Sequence, residues 1–368
     1  NSPYTVMKRL RVWNTAALTI DPGVTMKFKP GCDLEVFWQA TLTAQGTAGQ
    51  RITFTSDAAS PARGDWGRII MSASSVVRFA TIEYATQGLT VVQTSPTTIE
   101  DNIIQNNLTG LYFYLTGSPL VRNNTIINNN NGAIISSGFP IINDNIIHSN
   151  SLYNLVLGGI GSPINAERNW WGTVDPQTIF NVIQLINAAP ADFIPFLDAP
   201  NGSPIGNNVI NGYFTQNTQL TLTNSPYVLL GTAIIPPGVT LTIDPGVQIR
   251  CLSQSFLDVQ GTLIAQGTAG QLISFASVST APTRSDWQGI LLRGNSAGSI
   301  LKFVRIQHAY RAVVVDNVSP LFEHNVLEDN EIGLRITNSS THFQYNQITN
   351  NSFGIRLQQG AYGYRVNS

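Results

Sequence analysis

Segments of this chain return along it at two fixed spacings, and few architectures accommodate both. The longer spacing is a duplication. Leu18-Thr-Ile-Asp-Pro-Gly-Val24 recurs as Leu241-Thr-Ile-Asp-Pro-Gly-Val247, and Ala44-Gln-Gly-Thr-Ala-Gly-Gln50 recurs as Ala265-Gln-Gly-Thr-Ala-Gly-Gln271, offsets of 223 and 221 residues. Asp65-Trp66 likewise returns as Asp286-Trp287. The shorter spacing lies inside each copy. Prolines at Pro96, Pro119, Pro140 and Pro163 step by 23, 21 and 23 residues, Asn107, Asn130 and Asn150 recur near the same step, and Gly333 and Gly354 are 21 apart. Between these markers lie short β-rich runs such as Ala133–Ile135 and Val313–Val315, bounded by Gly, Pro, Asn or Ser.

A period near 22 with several short strands per repeat describes a β-solenoid. One turn cannot bury its own apolar side chains, but stacked turns bury a continuous column of them. Asn at one position per turn suits an inward amide ladder or a left-handed corner, since Asn tolerates positive φ and its amide bonds to the next turn. Leucine-rich repeats share this period, but their Leu-x-x-Leu-x-Leu pattern is missing. The arithmetic gives roughly sixteen turns, near 75 Å if each rises about 4.8 Å.

The order Leu-Thr-Ile-Asp-Pro-Gly-Val, Ala-Gln-Gly-Thr, Ile52-Thr-Phe-Thr-Ser56, Gly64-Asp-Trp-Gly67, Asn-rich turns, and Arg168-Asn-Trp-Trp-Gly-Thr-Val-Asp-Pro176 resembles the pectin-lyase-like right-handed parallel β-helix proteins, in particular the repeated bacterial secreted and cell-surface type. The resemblance covers 18–176 and 241–357, and it implies an all-β right-handed parallel β-helix. These motifs specify fold far better than activity.

The expected organisation is a first β-helix unit over 1–172, a capping or linker segment with a short helix over 173–212, and a homologous second unit over 213–368. Asp175 before Pro176 reads as N-cap and first helical position, and Ile179, Val182, Ile183 and Ile186 have helical spacing. The second copy stops at a point matching residues 144–145 of the first. The corresponding expectation is a segment of a longer surface adhesin or head-to-tail fibre that self-associates through β-helix ends.

Charge narrows the function classes. Only 11% of residues are charged and the net charge is −1, against roughly 25% charged in an average soluble domain. No basic footprint for nucleic acid or an anionic membrane exists. No apolar run reaches the roughly 18 residues of a membrane span. The polar surface must come from Asn, Gln, Thr and Ser, which favours an extracellular or cell-surface location. Cys32 and Cys251, far apart and at non-equivalent points of the two copies, read as buried apolar residues.

Four aromatics are candidate contacts for surface glycans or a partner: Phe37, Trp38, Trp66 and Trp287. For Trp66 and Trp287, each beside an acid, the competing reading is a loop Trp folding over the solenoid while the Asp caps a turn. Phe37-Trp38 is a two-residue aromatic insertion, because Leu34-Glu-Val-Phe-Trp-Gln-Ala-Thr-Leu42 stands against Leu257-Asp-Val-Gln-Gly-Thr-Leu263 in the second copy. Trp170 and Trp171 lie where the β-helix meets its closing segment and read as a plug. Glu100, Asp101, Arg122, Glu323, Glu328 and Asp329 are the residues a lyase or hydrolase would draw on, but His324 replaces Asp101 in the second copy. No metal-ligand spacing, cofactor motif or nucleophile motif is present. The expectation is therefore a non-catalytic structural or adhesive protein without cofactor, with polysaccharide binding or degradation as the alternative.

Overall fold

The computed structural model describes residues 2–92, 96–114, 117–159, 161, 163–339 and 343–358, and the backbone of 366–367. The chain divides into two compact units, Asn1–Gly206 and Asn207–Ser368. Both are parallel β-solenoids. In the first, strands stack into a seven-stranded, an eight-stranded and a six-stranded sheet. The step between stacked residues is 22 at Thr81, Ile103 and Thr125, and 21 from Thr125 to Ile146. Longer loops stretch it to 28 between Thr25 and Thr53 and to 35 between Leu34 and Ile69. In the second unit the nine-residue strand Tyr227–Ile235 runs through a corner and joins two of the faces into one twelve-stranded sheet.

Each rung places side chains of the same type above one another, which is what the short sequence period demands. Ile82, Ile104, Ile126 and Ile147 form one fully buried column, and Leu111, Ala133 and Leu155 another. The second unit repeats this with Ala233, Leu257, Ile290, Val313 and Leu334. Cys32 and Cys251 are free and buried in these interiors, as expected.

Sharp corners between sheets carry buried backbone groups that need partners, and asparagine supplies them. Asn102, Asn124, Asn145 and Asn169 stack so that each Nδ2 donates to the next Oδ1 at 3.0 Å. The Oδ1 atoms of Asn124, Asn145 and Asn169 also accept the backbone N–H of the Asn above, and each Nδ2 reaches a carbonyl of the rung above, as Asn124 does with Ile99 O at 2.8 Å. A second ladder joins Asn107, Asn129 and Asn150. The residue just before a ladder Asn is left-handed: Asp101, Asn123, Asp144 and Arg168 have φ of 56, 55, 57 and 56°. Ladder and left-handed corner are thus adjacent residues. Asn130, grouped with Asn107 by spacing, is one residue off the ladder; it accepts instead from Arg63 Nη1 at 2.6 Å.

Residues 173–206 of the closing segment fall within the first compact unit. Helix α1, Pro176–Asn181, is capped by Asp175, whose carboxylate accepts from Thr178 N at 2.9 Å. It ends earlier than the Ile/Val spacing suggests. Ile183–Ile186 is a strand paired in parallel with Leu155–Gly158, because that edge offers unpaired hydrogen-bonding groups and β-branched residues fit it. Trp171 is buried and meets Phe193 edge to face at 6.5 Å, with Phe196 beyond, in the plug position. Trp170 is half-buried and is held by its backbone to Asn145 and Ile147.

Asp192 lies in this cap, bonded by its backbone to Ile164 and Ala166 of the last rung. Burial first, and the Glu167 charge second, push its pKa up to about 7. A carboxyl raised in the folded state stabilises the fold while protonated, and that contribution is lost as pH rises through the folded value. Thermal midpoints should therefore fall between about pH 4 and pH 7 and then level off. Asp192→Asn should flatten that slope and raise the midpoint at alkaline pH. In the ladder, Asn124→Ala strands several buried donors and acceptors, so denaturant unfolding should show a loss of at least about 3 kcal/mol. Asn128 is an exposed corner residue with φ 55°, and Asn128→Ala should cost about 1 kcal/mol.

Candidate functional site

Alternation along each strand sends every second side chain outward, so the long sheet of each unit presents a ribbed outer face. In the second unit the outward column is Ile234, Asp258, Leu291, Val314 and Arg335, in register. One further arginine is brought to this face by a bulge. Gly289 pairs with Arg311 and Ile290 with Val313, so Ala312 is an extra residue. Gly289 has φ +112°, and a Cβ there would lie 1.6 Å from the Arg311 carbonyl oxygen. Only glycine fits at such an approach.

These residues line a groove of about 420 Å³. Phe256, Leu291 and Val314 make its floor, and Arg311, Asp316 and Arg335 are among its polar margins. Below them Asp258 is buried and held bidentately by Arg293, Nε to Oδ1 at 2.9 Å and Nη2 to Oδ2 at 2.6 Å. The hydrogen bonds from that pairing hold the Arg293 guanidinium above its ordinary pKa. Arg311 is different. Its guanidinium lies 4.5 Å over the Tyr310 ring and makes one long contact, 3.4 Å, to the Tyr310 hydroxyl. Its Nε is buried without a hydrogen-bond partner, and among the described residues no carboxylate pairs with it. Arg335 likewise has an amide oxygen, Gln358 Oε1, rather than an acid.

On the corresponding face of the first unit the buried acids are paired, while Arg68 has an amide partner, Gln87 Oε1 at 3.2 Å, rather than an acid. Asp33 and Glu35 are buried; Arg9 Nε contacts both, at 3.2 and 3.1 Å, and Arg11 Nε contacts Glu35 at 2.7 Å. Asp33 also accepts from the Arg68 backbone N–H at 3.0 Å. A smaller cleft of about 230 Å³ lies beside Asp33, Arg68 and Gln87.

The residues singled out by sequence fare differently. Trp66 and Trp287 are fully buried, so the expectation that they touch a glycan is corrected. Their indoles point into the core, stack on Phe28 at 4.2 Å and Phe275 at 6.2 Å, and donate Nε1–H to Glu83 O and Gln307 O, each at 2.8 Å. The preceding acids cap loops: Asp65 accepts from Ala62 N, and Asp286 from Thr283 N. Trp38 is 64% exposed, and Phe37 is half-buried against Trp13. Glu100, Asp101 and Arg122 do come together, but as a ladder. Glu100 sits buried between Arg78 and Arg122, while Asp101 binds Arg78 at 2.8 Å and raises that guanidinium's pKa. Glu323 and Glu328 face Lys302 and Arg305 in the second unit. Among the described residues no three His, Cys, Asp or Glu side chains gather as a metal site. Sequence reading missed Arg311 altogether. The signal was Gly289, absent from the first copy, where Arg68 stands.

Comparison with known proteins agrees with this architecture. Residues 46–170 match the model of a right-handed β-helix region, and residues 212–300 match that of a pectate-lyase-like β-helix domain. The chain is a pectin-lyase-like parallel β-helix protein. The β-helix is also 30% identical over 148 residues to Protein bark beetle of Drosophila melanogaster, a stretch covering 33% of this chain and only 5% of that one. An α-1,3-glucanase catalytic domain in complex with nigerose aligns over 98% of this β-helix and 68% of its own chain, at 11% identity and a TM-score of 0.16, too low to relate the two.

Gly289→Ala should displace the Arg311 carbonyl. The expected result is a loss of at least about 2 kcal/mol of stability in denaturant unfolding, since the change adds both a clash and a strained φ.

Proposed function

We propose that this β-helix is a non-catalytic, extracellular adhesive protein that binds an acidic polysaccharide along the outer face of its second unit. The observation that carries the reading is the Arg311 guanidinium, with unfilled hydrogen-bonding capacity beside a groove with an apolar floor. An extended sugar polymer suits that shape: its C–H faces pack on Phe256, Leu291 and Val314, and a uronate carboxylate meets Arg311. The pectate-lyase-like match over 212–300 supports this ligand class, because that segment contributes Phe256 and Leu291. The non-catalytic part rests on the engaged acids. Asp258 beneath the groove is ion-paired with Arg293 and Asp316 is the one carboxylate among the lining residues, so the two available carboxyl groups that glycoside hydrolysis uses do not meet there.

Affinity electrophoresis through polygalacturonate should retard the wild-type chain. Arg311→Ala should weaken that retention roughly tenfold to a hundredfold, the range for a charge-assisted hydrogen bond, and Arg311→Lys should recover part of it. Equal retention of Arg311→Ala, or release of unsaturated or reducing sugar by the wild type, would overturn the reading.

A further inference from the structure

Asparagine is followed by glycine three times in the chain, at Asn131-Gly132, Asn201-Gly202 and Asn211-Gly212. The pair carries a latent reaction. The Cγ of an Asn is an amide carbon within reach of the next residue's backbone nitrogen, and glycine there has no Cβ to hinder the approach. Backbone freedom decides whether the two atoms meet, and the fold grants the three pairs different freedom.

Asn131 opens the strand Asn131–Ile135 and is paired on both sides, with Thr109 and Tyr153. Gly132 is buried, and a Cβ there would lie 2.5 Å from Asn154 O, so the neighbouring rung packs directly on it. Asn211 lies in the strand Val209–Tyr213, beside the buried Gly212, and its Nδ2 donates to Leu230 O at 2.6 Å. Both pairs are thus held in strands.

Asn201-Gly202 lies instead in the turn that joins the antiparallel strands Phe196–Leu197 and Pro204–Ile205 of the cap. The turn itself demands this pair. Asn201 is left-handed, with φ 57°, a conformation that Asn tolerates. A Cβ on Gly202 would lie 2.0 Å from Asp198 Oδ1, the oxygen that accepts the Ser203 N–H at 2.8 Å. Asn201 is exposed, and the Gly202 N–H is held by a turn bond to the exposed Ala199, at 2.9 Å from its carbonyl oxygen. The residues that close the turn are therefore the ones that can react, and here they are free to do so.

We infer that Asn201 is a site of spontaneous deamidation and isomerisation, a slow ageing step that loosens the cap of the first unit. The Gly202 nitrogen attacks Asn201 Cγ and forms a five-membered succinimide; the side-chain nitrogen leaves as ammonia, carrying away the Gly202 proton. Water then adds to either ring carbonyl and breaks its C–N bond, which leaves isoaspartate or aspartate. Water is the only co-reactant. Isoaspartate lengthens the backbone of the turn by a methylene, and either product sets a new carboxylate beside Asp198, whose charge it opposes. Both changes act against the turn bond from Asp198 N–H to Ser203 O, 3.0 Å, and against the pairing of Phe196 with Ile205. Phe196 and Leu197 are buried, and Leu197 N–H donates to the ladder residue Asn169 at 3.0 Å, so the loosening reaches the last rung.

The experiment ages the full chain in warm, mildly alkaline buffer, with a second sample in denaturant. Peptide mapping reads the mass gained when an amide becomes a carboxyl group, and hydroxylamine cleavage reads the succinimide. In the native chain Asn201 should convert at least about tenfold faster than Asn131 or Asn211, which must wait for their strands to open locally. In denaturant the three should convert at similar rates. Asn201→Gln, whose side chain would have to close a six-membered ring, should abolish conversion at that position. Hydrogen exchange at the Leu197 and Asp198 amides should quicken in aged wild type and stay at its initial rate in aged Asn201→Gln. A native chain that keeps Asn201 intact while the denatured chain converts it overturns the inference, as does equal conversion of the three pairs in the native chain. Unchanged exchange at Leu197 and Asp198 in converted wild type overturns the consequence for the cap.

Discussion

The hydrogen bond between stacked asparagine amides is the interaction on which the rest of this solenoid depends. A corner tight enough to close a rung of about 22 residues turns backbone N–H and C=O groups inward, away from water. A ladder Asn answers both at once, its Oδ1 accepting the N–H of one rung and its Nδ2 donating to a carbonyl of another. The left-handed residue just before it aims the amide inward. With the corners fixed in this way, the strands between them stay in register and the Ile, Leu and Val columns can close.

Such regularity leaves little of the interior available for function. A side chain that points inward is surrounded by its counterparts above and below, which is why Trp66 and Trp287, conspicuous in sequence, are core residues. The outward faces and the corners carry the individuality. Two departures from regularity stand out there. One is Gly289 with Arg311, an arginine without an acid, where the same bulge of the first unit pairs Arg68 with Gln87; the other is the two-residue insertion that leaves the Trp38 ring exposed. Each makes its unit chemically unlike the other, although both descend from one repeated pattern.

The charged residues tell the same story in reverse. In a chain with so few, ion pairs run along the stacking direction, as in Arg78–Glu100–Arg122 and in Arg9 and Arg11 with Asp33 and Glu35. These ion pairs compensate acids buried beneath the sheet surface. A carboxylate so engaged is poorly placed to move protons, whereas an arginine left out of the pairing is placed to receive a ligand.

The sequence by itself determined the solenoid, its duplication, the helix cap at Asp175 and the asparagine corners, because these follow from periodicity and local backbone preference. It misassigned the ladder at Asn130 by one residue, since spacing alone does not separate the inward Asn129 from its outward neighbour. It extended the helix through Ile186, since apolar spacing cannot reveal that the edge at Leu155–Gly158 was open to a strand. Only the tertiary structure decided which tryptophans face solvent, which acids are neutralised and which arginines lack an acid. Those properties depend on residues brought together from rungs some 20 to 35 positions apart, and no local pattern records such a meeting.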